Sequence, residues 1–469
     1  MDQPVEVEVA EDVPIVARVA GIDVAKGSGM VCTRVPDDSS PNRRVTKLWK
    51  VAATAGALAE LADHLVCQGI ERVVLESTSD YWRPFLYVLQ ARGLTVWLVN
   101  AAQVKNVPGR PKSDKEDAVW LALLAERSML SPSFVPAEPM RHVRDLARAR
   151  FDLVEDRTRV KQRLEKLLED ALIKISSVLS DLHGASGRAI VDALVAGERN
   201  PRVLAGLARG RARGKHSELV EACSGRFTEH HARLARMLLD QLDELTGRIE
   251  TLTRMLDEEI QALPTPSSPP TGTSSTPAAG GDASSGPTGD DPAPVPTPAT
   301  VPQMYTSTVQ RLCTIPGAGP DTVRSLLAEI GLDMTVFGTS ARLCSWAKTV
   351  PRTVQSGKRT SRGRTGKGNR YVKSSLGLMA AAAARTDTFL GARYRRLVKR
   401  MPKAKALVAL ERSILVIVFH LLSNPTATFT DLGADFYERR IDRQRRTQHL
   451  TRELAALGYR VQLSPLEAA

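Results

Sequence analysis

Apolar residues near the start of the chain recur with a period of two and then with a period near 3.6, and the change separates predicted strands from predicted helices. β-Branched runs at 15–24, 29–35 and 44–52 predict three strands in a meander, with Gly27-Ser28-Gly29 and the polar stretch 36–42 as the turns. Helix-period stretches follow at 55–68 and 81–91, ended by Gly69 and Gly93, with strand-like runs at 72–75 and 94–99 and a further helix at 115–126. The order β-β-β-α-β-α-β-α predicts an open mixed sheet covered by helices, and ligands of such sheets sit at strand ends.

The pattern then changes again. Val143, Leu146, Arg150, Leu153, Arg157, Val160, Leu164, Leu167 and Ala171 alternate steps of three and four, as a coiled coil does, although two seam positions are Arg. A second long helix at 229–262 carries Leu238, Leu242, Leu245, Ile249, Leu252 and Leu256. The two helices pair either with each other or with another subunit. Between them lie shorter helical pieces, among them 185–196, and a basic turn at 209–215. Residues 264–303 are almost entirely Pro, Ser, Thr, Gly and Ala, too poor in apolar bulk to offset chain entropy. Beyond them, helices are expected at 321–330, 376–384 and 404–422, with a basic amphipathic helix at 436–457. The chain therefore divides into a disordered acidic arm (1–14), an α/β domain (15–135), a helical coiled-coil region (136–263), a disordered linker (264–303), a mainly helical basic domain (304–425) and a basic tail (426–469).

Charge narrows the choice of partner. Lys and Arg outnumber Asp and Glu by 65 to 52 and the isoelectric point is about 9.7, which points to a polyanion, with a phospholipid surface as the rival to nucleic acid. No uninterrupted apolar run reaches the roughly 18 residues of a membrane span, so no membrane partner is expected. The acidic opening Met1-Asp2-Gln3-Pro4-Val5-Glu6 lacks the regions of a secretory signal. Five scattered cysteines without a CxxC pair argue against a disulfide framework and a zinc ribbon. A cytoplasmic, nucleoid-associated protein is the expectation.

The candidate chemistry lies in acids and in a one-signed basic run. Asp23 sits near the end of the first strand, where Asp is disfavoured, and Glu76 ends the strand Val73-Val74-Leu75. Lys112-Ser113-Asp114-Lys115-Glu116-Asp117-Ala118 has the form of a capping box, which places Asp114 and Asp117 on one face of a first helical turn. Each acid alone has a structural explanation, since a helix dipole favours acids in its first turn. Together they form the hard-oxygen set that divalent ions such as Mg²⁺ need for phosphoryl transfer. From Met334 to Thr386 there is no Asp or Glu, yet eleven cations fall inside, including Lys358, Arg359, Arg362, Arg364, Lys367 and Arg370. Such a run is better explained by phosphate contact than by solubility. Ile315-Pro316-Gly317-Ala318-Gly319-Pro320 resembles a helix-hairpin-helix turn, in which Gly317 and Gly319 let backbone N–H groups approach a phosphate, or else it is a tight turn between packed helices.

Gly21-Ile22-Asp23-Val24-Ala25-Lys26, Leu75-Glu76-Ser77-Thr78 and the 112–118 stretch resemble the D, E, D, D motif of a RuvC/RNase-H-like domain. More specifically, they resemble the DEDD transposases of bacterial insertion sequences, family one hundred and ten, related to the Piv DNA invertase. The second half is similar to that family's C-terminal transposase domain through 315–320, Gln355-Ser356-Gly357-Lys358-Arg359 and Gly366-Lys367-Gly368-Asn369-Arg370. The resemblance implies a fold of α/β plus α class, with a RuvC/RNase-H-like mixed sheet, long coiled-coil helices and a basic helical transposase domain. It implies a recombinase in which Asp23, Glu76, Asp114 and Asp117 hold Mg²⁺ or Mn²⁺. Ser356 would attack DNA and form a phosphoserine link, with Ser361 as second choice. Gly317, Gly319, Lys358, Arg359, Arg362, Arg364, Lys367, Asn369 and Arg370 would contact nucleic acid. Implied partners are DNA, a structured bridge RNA and further copies of the chain, as a dimer or tetramer. No histidine matches a catalytic spacing, so metal activation of the serine is expected. The rival activity is a RuvC-like junction endonuclease; the rival from another class is a non-catalytic nucleic-acid scaffold. The long linker and the acidic arm depart from the family's pattern.

Overall fold

The computed structural model describes residues 16–37, 40–77, 79–100, 113–263, 301–351, 353–356, 359–363, 365–439 and 443–462. The expected arm at 1–14 and most of the expected linker, 264–300, lie outside these residues. The chain forms two compact units, Met1–Pro136 and Ala137–Ala469.

The first unit is a five-stranded sheet of β1 (Val19–Val24), β2 (Ser28–Asp37), β3 (Ser40–Ala52), β4 (Arg72–Ser77) and β5 (Val96–Val99), in the order β3-β2-β1-β4-β5. β1, β2 and β3 are antiparallel neighbours, while β4 runs parallel to β1 and β5 parallel to β4. This is the open mixed sheet covered by helices that the order of elements predicted. Strand alternation divides its core in two. Ala20, Ile22, Val24, Val73 and Leu75 pack with Leu58, Leu61, Leu65, Phe85, Leu86 and Leu89 of α1 (Ala55–Cys67) and α2 (Trp82–Ala91). Val19, Val74 and Val99 point the other way, onto Leu121, Leu124 and Ala125 of α3 (Asp114–Glu126). Burying each such side chain is worth about 1.5–3 kcal/mol, so the register of every strand is set by both faces.

Two contacts align α3 with the sheet. A Cβ on Gly21 would lie 2.5 Å from the Ala122 nitrogen and 2.8 Å from the Ala118 oxygen, so the helix backbone rests directly on β1. At the helix's far end, Glu126 is only 6% exposed and receives Arg34 Nε at 3.0 Å and Arg44 Nε at 2.7 Å.

The second unit is helical. α4 (Glu138–Asp170) and α5 (Glu229–Gln261) pair within the chain, which settles the choice left open by their seams. They run antiparallel: Arg150 Nε donates to Thr253 Oγ1 at 2.8 Å, and His231 Nε2 lies 3.1 Å from Asp170 Oδ2 at the other end. Arg150, an awkward seam residue, is thus satisfied by polar partners; its Nη2 also reaches Asp321 at 2.6 Å. Leu239 is buried more deeply than the expected Leu238, because a 3.6-residue turn drifts from a strict three-four seam.

α6 (Val301–Leu312) begins inside the expected linker, so the linker ends earlier than predicted. Tyr305, Val309 and Leu312 form its buried stripe and draw residues 301–303 into the helix. α7 (Pro320–Ile330), α8 (Ser340–Trp346), α9 (Arg370–Ala383), α10 (Phe389–Val398) and α11 (Lys403–Ser423) follow, with a two-stranded hairpin, β6 (Thr353–Ser356) and β7 (Arg359–Arg362), between α8 and α9. α11 is long and apolar enough to cross a membrane by length and hydropathy, but it carries Glu411 and Arg412 at mid-helix. Its Ala406, Leu410, Ile414, Leu415 and Val418 are fully buried, as in a core helix. The expected single tail helix is a short piece, Phe436–Arg439, followed by α12 (Arg443–Ala456).

Gly21→Val tests the alignment of α3. The added side chain meets helix backbone, which cannot swing aside, and overpacking of this kind costs about 1–3 kcal/mol. Urea unfolding followed by tryptophan fluorescence reports chiefly the first unit, which holds four of the five tryptophans (Trp49, Trp82, Trp97 and Trp120, with Trp346 in the second), and the midpoint of that main transition should fall.

Candidate active site and nucleic-acid interface

Two acids of the first unit stand side by side on interior strands of the sheet. Asp23 and Glu76 are register partners on the adjoining parallel strands β1 and β4, near the C-terminal end of each. Both belong to the face covered by α3, since Val19 and Gly21 precede Asp23, and Val74 precedes Glu76, by even steps. Glu76 is 6% exposed and Asp23 is half-buried. α3 runs against β1 in the opposite sense: Val19 meets the Leu121–Ala125 stretch, and Gly21 meets Ala118 and Ala122. One more step along both elements carries the first turn of α3, with Asp114 and Asp117, toward the Asp23 end of the sheet.

Local chemistry explains why a helix starts there. Ser113 is the N-cap, and its Oγ accepts from the Glu116 N–H at 3.4 Å. Glu116 reaches back as expected, but what it meets is the Ser113 hydroxyl, which donates to Oε2 at 3.0 Å. Asp114 is exposed and Asp117 half-buried. Lys112 lies outside the described residues. Among the described residues, no three Asp, Glu, His or Cys side chains come together as a group able to hold a metal ion. The fit to a divalent cation therefore rests on hard carboxylate donors and on the shared strand register of Asp23 and Glu76.

In the second unit, Ser356 is the last residue of β6 and pairs with Arg359, the first of β7; Ser361 pairs with Val354. Lys358 and Arg364 lie outside the described residues, and Arg359 and Arg362 are both in β7. Lys367 is exposed.

Other members of the basic run have protein partners. Asn369 caps α9, accepting from the Tyr371 N–H at 2.9 Å, and donates to Glu329 Oε2 at 2.6 Å. Arg370 Nη2 bonds to Glu155 at 2.7 Å and Asp152 at 3.1 Å on α4. Gly317 (φ 85°) is held by packing: its Cβ would meet the Met379 oxygen at 2.4 Å on α9. Gly319 donates its N–H to Thr322 Oγ1 at 3.1 Å. The tight-turn alternative thus accounts for both glycines.

Glu329, which sequence reasoning passed over, is the hub of this unit. It is 1% exposed and receives Arg148 Nε at 2.6 Å and Nη2 at 2.9 Å, while Arg144 Nη2 donates to its carbonyl at 2.6 Å. Burial works against the Arg148 charge, but the hydrogen bonds it donates to Glu329 and that carboxylate's negative charge outweigh this and raise the Arg148 pKa above its ordinary value. A signal for such residues did exist. Glu126 and Glu329 each stand in the last turn of a helix, where the macrodipole disfavours an acid, so each position called for a cation partner.

Glu329→Gln leaves the half-buried Arg148 guanidinium without its counter-charge. Breaking one side of a buried pair costs about 3–5 kcal/mol, so calorimetry should show the melting transition of the second unit shifted down. The double variant Glu329→Leu with Arg148→Met should recover part of that loss.

Comparison with known proteins follows this division. A family model for DEDD transposases of IS110, described as Transposase, matches residues 20–173, and the Transposase IS116/IS110/IS902 family model matches residues 309–395. Together the two matches span just over half of the chain. Among solved structures, T. thermophilus RuvC in complex with Holliday junction substrate is similar at 16% identity, over 25% of this chain and 99% of that one, with a TM-score of 0.20. No curated protein sequence matches the chain.

Proposed function

Because the chain belongs to the IS110 family of transposases, we propose that it cuts and rejoins DNA at the ends of an insertion sequence by serine attack assisted by a divalent cation. The observation that carries this reading is the pairing of Asp23 with Glu76 on adjoining strand ends, under the face of α3, whose first turn bears Asp114 and Asp117. In this reading the four carboxylates hold Mg²⁺ or Mn²⁺. The cation, when bound, supplies charge neutralisation to the phosphodiester and lowers the barrier to ionising a hydroxyl.

Ser356 is the nucleophile. Its Oγ forms a bond to phosphorus, the bond from phosphorus to the leaving deoxyribose oxygen breaks, and the serine proton is matched by the proton that the departing hydroxyl takes up. The phosphoserine link conserves the energy of the broken ester, so a second DNA hydroxyl reverses the step and joins a new strand without a cofactor. The cations of β7 and the neighbouring Lys367 offset the charge that builds on the phosphoryl oxygens. The serine and the acids belong to different compact units, so the reading requires them to meet on one phosphodiester, within one chain or between chains of a dimer or tetramer. It further assigns a structured bridge RNA as the guide that selects donor and target DNA, bound through the remaining cations of the basic run.

A plasmid excision assay tests the reading. Asp23→Asn and Ser356→Ala should each lower excision by at least about 10³-fold, the scale of losing a unit of covalent catalytic machinery. The wild-type protein should leave a denaturation-resistant protein–DNA adduct that Ser356→Ala lacks, and Ser361→Ala should retain it. Full excision by either of the first two variants contradicts the proposal. Cutting that persists in Ser356→Ala without an adduct assigns the chemistry to water, as in a junction endonuclease.

A further inference from the structure

The second arginine of the α4 seam has a different fate from the first. Arg150 is satisfied by Thr253 and Asp321, whereas Arg157, two turns further along α4, has no carboxylate partner among the described residues. Arg157 instead lines a cavity of about 240 Å³ within the second unit. α4 also supplies Lys161, the helix Ala185–Val195 and the turn before it supply Arg188 and His183, and α5 supplies Asp243. Much of the remaining wall is apolar, from the buried Leu164, Val191, Leu239 and Leu242.

Three cations and one carboxylate face this space, and the carboxylate is already taken. Asp243 accepts both ends of the Arg188 fork, at 2.6 Å and 2.8 Å, and Asp192 accepts from Arg188 Nε at 2.9 Å. Arg157 and Lys161 are left half-buried and unmatched by any acid among the described residues. They stand four apart on one face of α4, where like charges destabilise a helix, and an apolar wall strengthens their repulsion by lowering the local dielectric. A cation that only solvates a helix carries its head out to water. Lys161 does not: burial and then its ammonium hold the His183 imidazole below its ordinary value, against the opposing pull of Asp181 and Glu165. At neutral pH that ring is an uncharged N–H donor beside two cations.

A dianion would match Arg157 and Lys161, and the volume selects its size. At roughly 30 Å³ per water of the liquid, the cavity equals about eight waters, room for a tetrahedral oxyanion with part of its hydration. It falls short of the roughly 300–1,000 Å³ that encloses larger organic ligands. A guanidinium fork and an ammonium are the usual phosphate donors.

We propose that Arg157, Lys161 and His183 bind a free phosphate-sized dianion in this cavity, tying α4 to the helix Ala185–Val195. The proposal does not rest on the catalytic reading, and its test reads binding without DNA. Isothermal titration calorimetry of the full chain with inorganic phosphate, at neutral pH and an ionic strength held constant with chloride, should show one site per chain. Arg157→Met and Lys161→Met should each weaken binding about tenfold or more, the scale of one charge-assisted hydrogen bond, and the double variant should abolish it. Lys166→Met, which removes an exposed cation of α4, should leave it unchanged. Phosphate should raise the melting transition of the second unit in the wild type and not in the double variant. Without phosphate that variant should melt no lower than the wild type, since a like-charge contact is gone; the single variants carry the same test should the double variant fold poorly. No phosphate binding by the wild type, binding that persists in the folded double variant, or an equal loss in Lys166→Met overturns the proposal. Arg157-dependent binding of a 5′-phosphorylated oligonucleotide by a chain that ignores inorganic phosphate also overturns it, and assigns the cavity to a nucleic-acid end.

Discussion

The missing side chain at Gly21 is the constraint on which the packing of α3 against the Asp23-bearing strand depends. Backbone touches backbone there, at 2.5 Å and 2.8 Å from a notional Cβ, so α3 has one depth and one position along β1. The Glu126 pairs with Arg34 and Arg44 then fix its far end. Buried ion pairs add little net stability against apolar substitutes, but they penalise any arrangement that leaves one charge alone. With the middle and the C-terminus of α3 held, its acid-bearing first turn is carried toward the strand ends where Asp23 and Glu76 are paired.

The second unit uses the same device for a different purpose. Glu329 joins α7 to α4 through Arg144 and Arg148 and to the start of α9 through Asn369. Arg370 adds a second tie from α9 to α4 through Asp152 and Glu155. Part of the basic run is therefore spent on assembling the unit, and its charge count overstates what is free to meet a polyanion.

Much of this was legible in the chain. Periodicity located the strands and helices of the first unit because each buries one face, and Gly69 and Gly93, both at positive φ, end α1 and α2 as expected. Asp23 and Glu76 stood out because an acid near a strand end breaks the apolar alternation, and they prove to be register partners. What was not legible depended on partners distant in sequence. Whether α4 pairs with α5 or with another subunit is not encoded in either seam, and the partners of Arg370 lie more than 200 residues away. The motif around Gly317 read either as a phosphate-binding turn or as a tight packing turn, because local sequence cannot reveal that α9 presses on it. The start of α6 was missed because Tyr305, Val309 and Leu312 act from beyond the low-complexity boundary.

The proposed function requires Asp23, Glu76, Asp114 and Asp117 to hold one divalent cation. Fe²⁺ in place of Mg²⁺, with ascorbate and peroxide, generates hydroxyl radicals at a bound ion, and peptide mapping of the cut chain locates it without any need for DNA activity. The account predicts cuts at the end of β1, the end of β4 and the first turn of α3 together, suppressed by excess Mg²⁺ and lost in Asp23→Asn. Cuts elsewhere, or cuts at these segments that persist in Asp23→Asn, would contradict it.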